Sequence, residues 1–248
     1  MLKVRIIPIL TFNGFGLVKT KQFSHPRMVG NPVQAARVYN SRGVDELVFL
    51  DITASEQNRK INLKLVSDVV KECYMPVAIG GGISSIDDIN NLLKIGADKV
   101  IIKSKALTDK RFIEESVSFF GSQCISISVD ATKVNGSYFI HNKLGLTIEL
   151  DDFIDEMNRC NVGEFVVTSV DNDGLMNGFD HDLVNHVASK TNIPMIAVGG
   201  GGNINHYTEL FTNTSIEAVG SASIFHFTQH TPLDIKNELK EIGVSVRL

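Results

Sequence analysis

The chain has 248 residues, 43% of them hydrophobic and 21% charged, with a formal net charge of −4 and a pI near 6.0. This is enough apolar material for one large domain with a sizeable core. The mild acidity argues against broad binding to nucleic acid or to membrane surfaces. No apolar run approaches the roughly 20 residues of a membrane-spanning helix, and the N-terminus lacks a signal-peptide layout. Three widely spaced cysteines form no metal or disulfide pattern, which favours a cytoplasmic protein with reduced thiols.

Short apolar runs alternate with helical segments along the chain. The predicted strands cover residues 4–10, 46–52, 76–80, 98–102, 124–129, 165–169, 195–198 and 217–220. The predicted helices cover residues 32–42, 60–73, 85–95, 109–119, 151–160, 180–190, 203–213 and 232–242. Asn31 is the expected N-cap of the first helix, with Pro32 in its first turn.

Two segments interrupt this rhythm. Residues 11–30 show no period and are expected to form a long loop, either a functional lid or a disordered segment. Residues 133–146 are expected to form a β-hairpin that turns at Asn135-Gly136, because both residues tolerate the positive φ angles of a tight hairpin turn. In the SIFHF segment, His226 is expected to be a packed residue rather than a catalyst.

Eight strand–helix units without a linker predict a (β/α)₈ TIM barrel, one domain over residues 1–248. A doubly wound open sheet is the alternative, but its glycine fingerprint usually lies near its start. Here glycine turns follow the third and seventh strands, in MPVAIGGGIS and IPMIAVGGGGN. These turns repeat 118 positions apart (194 − 76 = 118), and VDELV and VGEFV repeat at the same offset. Two homologous half-barrels, about 1–121 and 122–248, with two phosphate sites are therefore predicted.

Reacting residues of such barrels project from the C-terminal ends of the strands. Asp130 ends an apolar strand, so it is either a general acid or base or the side chain of an Asx turn, with the two readings evenly matched. Asp51 has the same position on strand two, where hydrogen-bonded structural support is at least as plausible. Lys103 and Ser104 suit a phosphate, against the alternative of a solvated lysine. Asp171 and Asp173 lack the downstream glutamate of a calcium loop, so no metal or cofactor is predicted.

The motifs RIIPIL, GVDELVFLDITAS, GGGI, GADKV, SQCISISVDA, VTSVDNDG, SIFHF and GVSVRL together resemble the cyclase subunit of imidazole glycerol phosphate synthase over the whole chain. The resemblance implies a half-barrel-duplicated (β/α)₈ protein that forms a heterodimer with a glutaminase subunit. The glutaminase supplies ammonia, which passes through the barrel. At the opposite mouth, the ammonia reacts with a bisphosphorylated ribulosyl nucleotide.

The resemblance also assigns roles to positions of this sequence. An ammonia gate is implied at Arg5, Glu46, Lys99 and Glu164, where a structural plug is the alternative, and a glutaminase contact at Asp98. Phosphate contacts are implied at Gly82 and Ser104 for one end and at Asp173, Gly174, Gly200, Ala222 and Ser223 for the other, beside Lys103. The remaining predicted site residues are Asp130, Thr11 and Lys19 as catalytic or closure residues, and Asp51, Ser169 and Asp171 elsewhere in the site.

The departures from the family pattern lie in the reaction centre. The family has an Asp where this chain has Thr11, which the internal repeat pairs with Asp130, and a threonine carries no exchangeable charge at pH 7. Lys103 replaces a family Asn. The first hypothesis is therefore a paralogous ammonia-using synthase that acts on another acceptor, such as an amino sugar of a surface polysaccharide, with Lys103 or Asn13 completing the site. The alternatives are the histidine-pathway cyclase itself and a non-catalytic activator of the glutaminase.

Overall fold

The computed structural model describes residues 3–248, so the first two residues of the predicted domain lie outside the described residues. The strands are β1 (Arg5–Phe12), β2 (Leu17–Lys21), β3 (Ser24–Gly30), β4 (Leu47–Asp51), β5 (Val77–Gly80), β6 (Lys99–Ile102), β7 (Ile125–Val134), β8 (Ser137–Ile140), β9 (Glu164–Ser169), β10 (Met195–Val198) and β11 (Ala218–Ser221). The α-helices are α1 (Pro32–Ser41), α2 (Leu63–Val70), α3 (Ile86–Lys94), α4 (Lys110–Phe120), α5 (Leu150–Arg159), α6 (His181–Lys190), α7 (Ile204–Asn213), α8 (Ser223–Phe227) and α9 (Pro232–Glu241).

Eight of these strands form a closed parallel barrel, which confirms the predicted (β/α)₈ fold. The order around the barrel is β1, β4, β5, β6, β7, β9, β10 and β11, and β11 pairs with β1 to close it. Pairing of Arg5 with Ala218 and of Pro8 with Ser221 fixes the register of closure. Helices connect successive barrel strands, as parallel strands require. None of the helices in the described part of the chain is long and apolar enough to cross a membrane.

Local capping explains where several helices begin. The Asn31 side chain accepts hydrogen bonds from the backbone of Val33 and Gln34, and Pro32 occupies the first turn of α1, as predicted. Ser85 and Asp88 form a capping box at α3, so two backbone donors are satisfied at once. The helix predicted over 60–73 is shorter, because Asn62 caps it and α2 ends at Val70. The SIFHF segment forms the extra short helix α8, in which His226 is half-buried.

Barrel strands alternate between two apolar layers. Ile125, Ile127 and Val129 of β7 pack outward against the helices. Since successive side chains of a strand point to opposite faces, Ser126, Ser128 and Asp130 point into the barrel. The interior layer is filled by Ile7, Ile9, Val48, Ala78, Ile101, Val166, Ile196, Ala218 and Ala222. Side chains at the two ends of this interior layer therefore face a floor and a mouth.

The prediction of a loop over residues 11–30 is wrong for most of that segment. β2 and β3 form an antiparallel hairpin, and β2 also pairs with the end of β1 at Phe12 and Leu17. The hairpin was hard to predict because β3 is exposed at nearly every position and carries no apolar alternation. Its turn is also unusual, since Gln22 and Phe23 have positive φ angles without a glycine. The second predicted hairpin is confirmed, with β7 and β8 joined at Asn135-Gly136.

Candidate active site and barrel floor

A cavity of about 490 Å³ opens at the C-terminal ends of the barrel strands. Most of the predicted site residues line it, and they come from all eight barrel strands or the segments that directly follow them. The lining includes Thr11, Lys19, Asp51, Gly82, Lys103, Ser104, Asp130, Asp173, Gly174, Gly200, Ala222 and Ser223. A cavity of this size and position is typical of a small-molecule site.

Asp130 lies in β7, one residue before the end of the parallel pairing with β9, and is 7% exposed. Its Oδ2 is 2.5 Å from the Nζ of Lys103, and the Ser128 hydroxyl donates to Oδ1 at 3.2 Å. Lys103 therefore contacts a carboxylate as well as facing the cavity. Among the described residues, the partners of this carboxylate are the Lys103 and Ser128 side chains. It accepts no hydrogen bond from a backbone N–H group of the following residues, as an Asx turn would require.

Thr11 occupies the corresponding place at the end of β1 and also faces the cavity. Its hydroxyl donates a hydrogen bond to the carbonyl of Val18 in β2. The bond ties the barrel strand to the hairpin that follows it. Asn13, which was predicted as a partner in a changed site, lies outside this cavity and binds the backbone N–H groups of Phe15 and Gly16.

The β2–β3 hairpin is docked across the mouth onto residues 170–174. The Lys19 ammonium is 3.4 Å from Asp173, and the Thr20 hydroxyl donates to the same carboxylate at 3.3 Å. Gln22 donates its backbone N–H to the Asp173 carbonyl at 2.8 Å. Lys19 is only 8% exposed, so this pair is withdrawn from solvent. The segment expected to be a lid or a disordered loop is thus an ordered hairpin over the site.

The other predicted carboxylates have structural partners. Arg59 binds Asp51 through two contacts of 2.6 and 2.8 Å, and sequence reasoning did not find this arginine. Asp171 accepts hydrogen bonds from the Thr132 hydroxyl and the Lys133 backbone, both at 2.8 Å. Neither Asp171 nor Ser169 lines the cavity, and the Ser169 hydroxyl donates to Asp180 at 3.2 Å.

Two further side chains of the mouth were missed from the sequence. Phe23, at the turn between β2 and β3, lies with its ring centroid 5.7 Å from the Lys103 ammonium. The same ring forms a T-shaped pair with the His141 imidazole, with 5.5 Å between the ring centroids. Burial lowers the pKa of His141, and the nearby cation of Lys103 lowers it further. No local sequence signal indicates these contacts, because they depend on the two hairpins meeting over the barrel.

At the opposite end, four charged side chains close the barrel floor. Arg5 binds Glu46 at 2.7 Å and Glu164 at 2.6 Å. Lys99 binds Glu46 at 3.0 Å and Glu164 at 2.8 Å. Burial lowers the pKa of Arg5, but the two glutamates outweigh it and raise that pKa overall. Each cation contacts both anions, so the predicted four-residue set forms a complete ring.

The surface around the floor carries both polar and apolar features. Asp98 is exposed, and its carboxylate accepts a hydrogen bond from the Val77 backbone at 2.8 Å, so it also supports the strand entry. Tyr74 and Phe119 lie on the connections that lead into β5 and β7, at the same end of the barrel. Their side chains are 92% and 70% exposed.

Comparisons with known proteins agree with this architecture. The family model described as "Histidine biosynthesis protein" matches residues 5–231. Curated relatives named imidazole glycerol phosphate synthase subunit HisF include those of Streptococcus mutans, 41% identical with all of both chains covered, and Flavobacterium johnsoniae, 40% identical with all of both chains covered. The relative of Staphylococcus carnosus is 42% identical over all of this chain and 99% of its own. The chain therefore belongs to the histidine biosynthesis protein family that contains the HisF subunits of imidazole glycerol phosphate synthase.

Proposed function

We propose that this protein is the ammonia-using synthase subunit of a glutamine amidotransferase complex, and that its acceptor differs from that of the HisF relatives. The single observation that carries the proposal is the asymmetry of the mouth. Asp130 contacts Lys103 on one side, whereas Thr11 stands at the matching position and is bonded to the backbone of Val18. A site that handles protons through one carboxylate suits an acceptor with different acid–base demands.

The floor and interior support the use of ammonia. The ring of Arg5, Glu46, Lys99 and Glu164 has to open for a molecule to enter from below. Above the ring the barrel is lined mainly by aliphatic side chains, which suit a small neutral molecule. Ser126 points into this interior with a buried Oγ that makes no hydrogen bond to another described residue. That hydroxyl is available to a small hydrogen-bonding molecule in transit.

The exposed side chains at the floor support a protein partner there. Tyr74 and Phe119 are large exposed aromatic residues, a type enriched at protein interfaces. They lie at the same end of the barrel as the charged ring and Asp98. We propose a glutaminase subunit as the partner, which would form a heterodimer and deliver ammonia directly to the ring.

The mouth supports an anionic small molecule as acceptor. Lys19, Lys103 and Lys143 line the cavity beside the carboxylates that they contact, so an anionic ligand would compete with those carboxylates for the three cations, and Ser104 and Ser223 supply hydroxyl donors. Gly82 with Ser104, and Gly200 with Ser223, provide the two places where we propose that phosphate binds. A phosphorylated amino sugar of polysaccharide biosynthesis, handled in the cytoplasm, satisfies these requirements.

The second candidate is the histidine-pathway cyclase itself. The observation that favours it is the identity of about 40% with HisF subunits over the full length of the chain. This candidate requires that the ribulosyl bisphosphate reaction tolerates Thr11.

The test is a comparison of acceptors with ammonium chloride as the nitrogen source and, separately, with glutamine and a co-expressed glutaminase. The proposal expects turnover of a phosphorylated amino sugar and none of the ribulosyl bisphosphate nucleotide. Efficient turnover of the ribulosyl nucleotide would establish the cyclase instead. A glutaminase stimulated by this chain, with no acceptor consumed, would reduce the protein to an activator.

A further inference from the structure

His141 lies beside the carboxylate that the proposed function uses, although the sequence motifs did not point to it. It follows β8 directly, and its backbone N–H donates to the Asp130 carbonyl at 2.7 Å. The fifth barrel strand and its hairpin therefore fix His141 next to Asp130 through the main chain. Its half-buried side chain lines the cavity.

The carboxylates around the cavity are each joined to a cation. The pairs are Asp51 with Arg59, Glu56 with Lys143, Asp130 with Lys103, and Asp173 with Lys19. In contrast, neither ring nitrogen of His141 forms a hydrogen bond with another described residue. Among the described titratable bases around the cavity, the imidazole of His141 is therefore the one that can accept a proton without first breaking an ion pair.

The surroundings of His141 set its protonation state. Burial and the cations of Lys103 and Lys143 lower its pKa, while Asp130 and Asp171 act in the opposite direction and are outweighed. The Phe23 ring lies 5.5 Å from the imidazole between centroids, at an angle of 78° between the ring planes. A neutral imidazole near pH 7 results, which is the form that accepts a proton.

Building on the proposed function, we propose that His141 is the catalytic base that accepts a proton from the added ammonia. As the nitrogen lone pair bonds to an electrophilic carbon of the acceptor, the π pair moves to the heteroatom on that carbon. The nitrogen then carries a surplus proton and a positive charge. A ring nitrogen of His141 takes this proton, giving an imidazolium and a neutral amine, and later releases the proton to solvent. Lys103 faces the same space and stabilises the negative heteroatom.

The kinetic test uses the full complex and whichever acceptor the comparison proposed above finds to be turned over, supplied with ammonium chloride. The substitutions His141→Gln and His141→Ala are expected to lower kcat by about 10²–10⁴-fold. KM should change much less, and the loss of rate below neutral pH, measured at a fixed concentration of free ammonia, should disappear with the histidine. Added imidazole should restore part of the rate to His141→Ala. His186→Gln is the matched control, because this histidine pairs with Asp151 on the outer wall.

A second measurement needs no turnover and separates this proposal from the proposed function. Ring ¹⁵N signals of histidine-labelled protein are followed by NMR as the ribulosyl bisphosphate nucleotide or a phosphorylated amino sugar is added. A low His141 pKa and a shift on binding either compound support the placement, even if neither compound is turned over and the proposed function fails. Unchanged ring signals with both compounds, or a His141→Gln enzyme within about threefold of wild-type kcat, would overturn the proposal.

Discussion

The first and fifth strands of the barrel, β1 and β7, occupy equivalent positions but carry different side chains at their C-terminal ends. β1 continues into pairing with β2, and β7 continues into pairing with β8, so each leads into a hairpin at the mouth. Thr11 and Asp130 lie 119 positions apart (130 − 11 = 119) at these two ends. Asp130 contacts the Lys103 side chain within the cavity, whereas the Thr11 hydroxyl contacts the backbone of its own hairpin.

Both hairpins are anchored to the same short segment after β9. Asp171 holds the hairpin of the fifth strand through Thr132 and Lys133, and Asp173 holds the hairpin of the first strand through Lys19. Both hairpins are thus anchored in a similar way, while a strand-end carboxylate is present on only one side. The difference teaches that a strand end can help to close the mouth without carrying a carboxylate.

The most damaging change expected at the mouth is Asp130→Asn. It keeps the size of the side chain but removes the charge that binds Lys103 and the carboxylate that we propose handles protons. Ammonium-dependent turnover should fall by about 10²–10⁴-fold. At the equivalent position of the first strand, Thr11→Ala should lower the rate by less than about tenfold, since we assign it no proton transfer.

The two rates are measured on the acceptor that the wild-type complex uses, with circular dichroism to confirm folding. Equal losses for Asp130→Asn and Thr11→Ala would show that the two strand ends act as a pair, and would contradict the asymmetry.

The sequence was sufficient for the barrel but insufficient for the contacts at its mouth. Apolar strands and local caps such as Asn31 with Pro32 depend on neighbouring residues, so their pattern is readable along the chain. Phe23 and His141 are 118 positions apart (141 − 23 = 118), and nothing local predicts that their rings meet. Lys103 was assigned to phosphate because it follows a strand, yet its observed partner is Asp130. Contacts between side chains of different strands depend on how the barrel closes and on the stagger of its strands, and neither can be read from the sequence.

A substitution at the anchor of the first hairpin should have the next largest effect. Gly174 has φ +72°, and a Cβ there would lie 2.1 Å from the Thr20 carbonyl oxygen. Gly174→Ala should therefore cost about 1–3 kcal/mol for the forced displacement of the hairpin, in addition to about 1 kcal/mol for placing a Cβ at a positive φ angle.

Gly136→Ala is the matched control at the turn of the fifth-strand hairpin. Gly136 has φ +89° with no atom within 4 Å of the added Cβ, so Gly136→Ala should lose only the free energy associated with the backbone angle. Urea unfolding measures both free energies, and hydrogen exchange over residues 17–30 reports whether the first hairpin detaches. Equal destabilisation by the two substitutions would mean that the first hairpin is not held by close approach at Gly174.

The hydroxyl of Thr11 should contribute a smaller amount. Thr11→Val keeps the branched shape but removes the donor to the Val18 carbonyl. Loss of one such bond should lower the free energy of unfolding by about 0.5–1.5 kcal/mol. Thr11→Ser retains the donor and should stay closer to wild type in a urea titration. A Thr11→Val protein as stable as Thr11→Ser would indicate that the bond contributes nothing to closing the mouth.

The smallest change concerns the electrostatics of the fifth-strand hairpin. The Lys143 cation contributes to lowering the pKa of His141, after burial and Lys103. Lys143→Met should therefore raise that pKa toward its ordinary value, and the acid limb of the rate profile should move to higher pH. The unfolded chain takes up this proton near pH 6.5, whereas folded His141 does so only at lower pH, so stability falls as pH drops through this window. Lys143→Met should weaken that fall.

Lys133→Met is the control, because Lys133 is on the same hairpin but paired with Asp182. It should leave the His141 pKa unchanged in an NMR titration. An equal shift in both variants would show that His141 responds to the net charge of the hairpin rather than to the cations at the cavity.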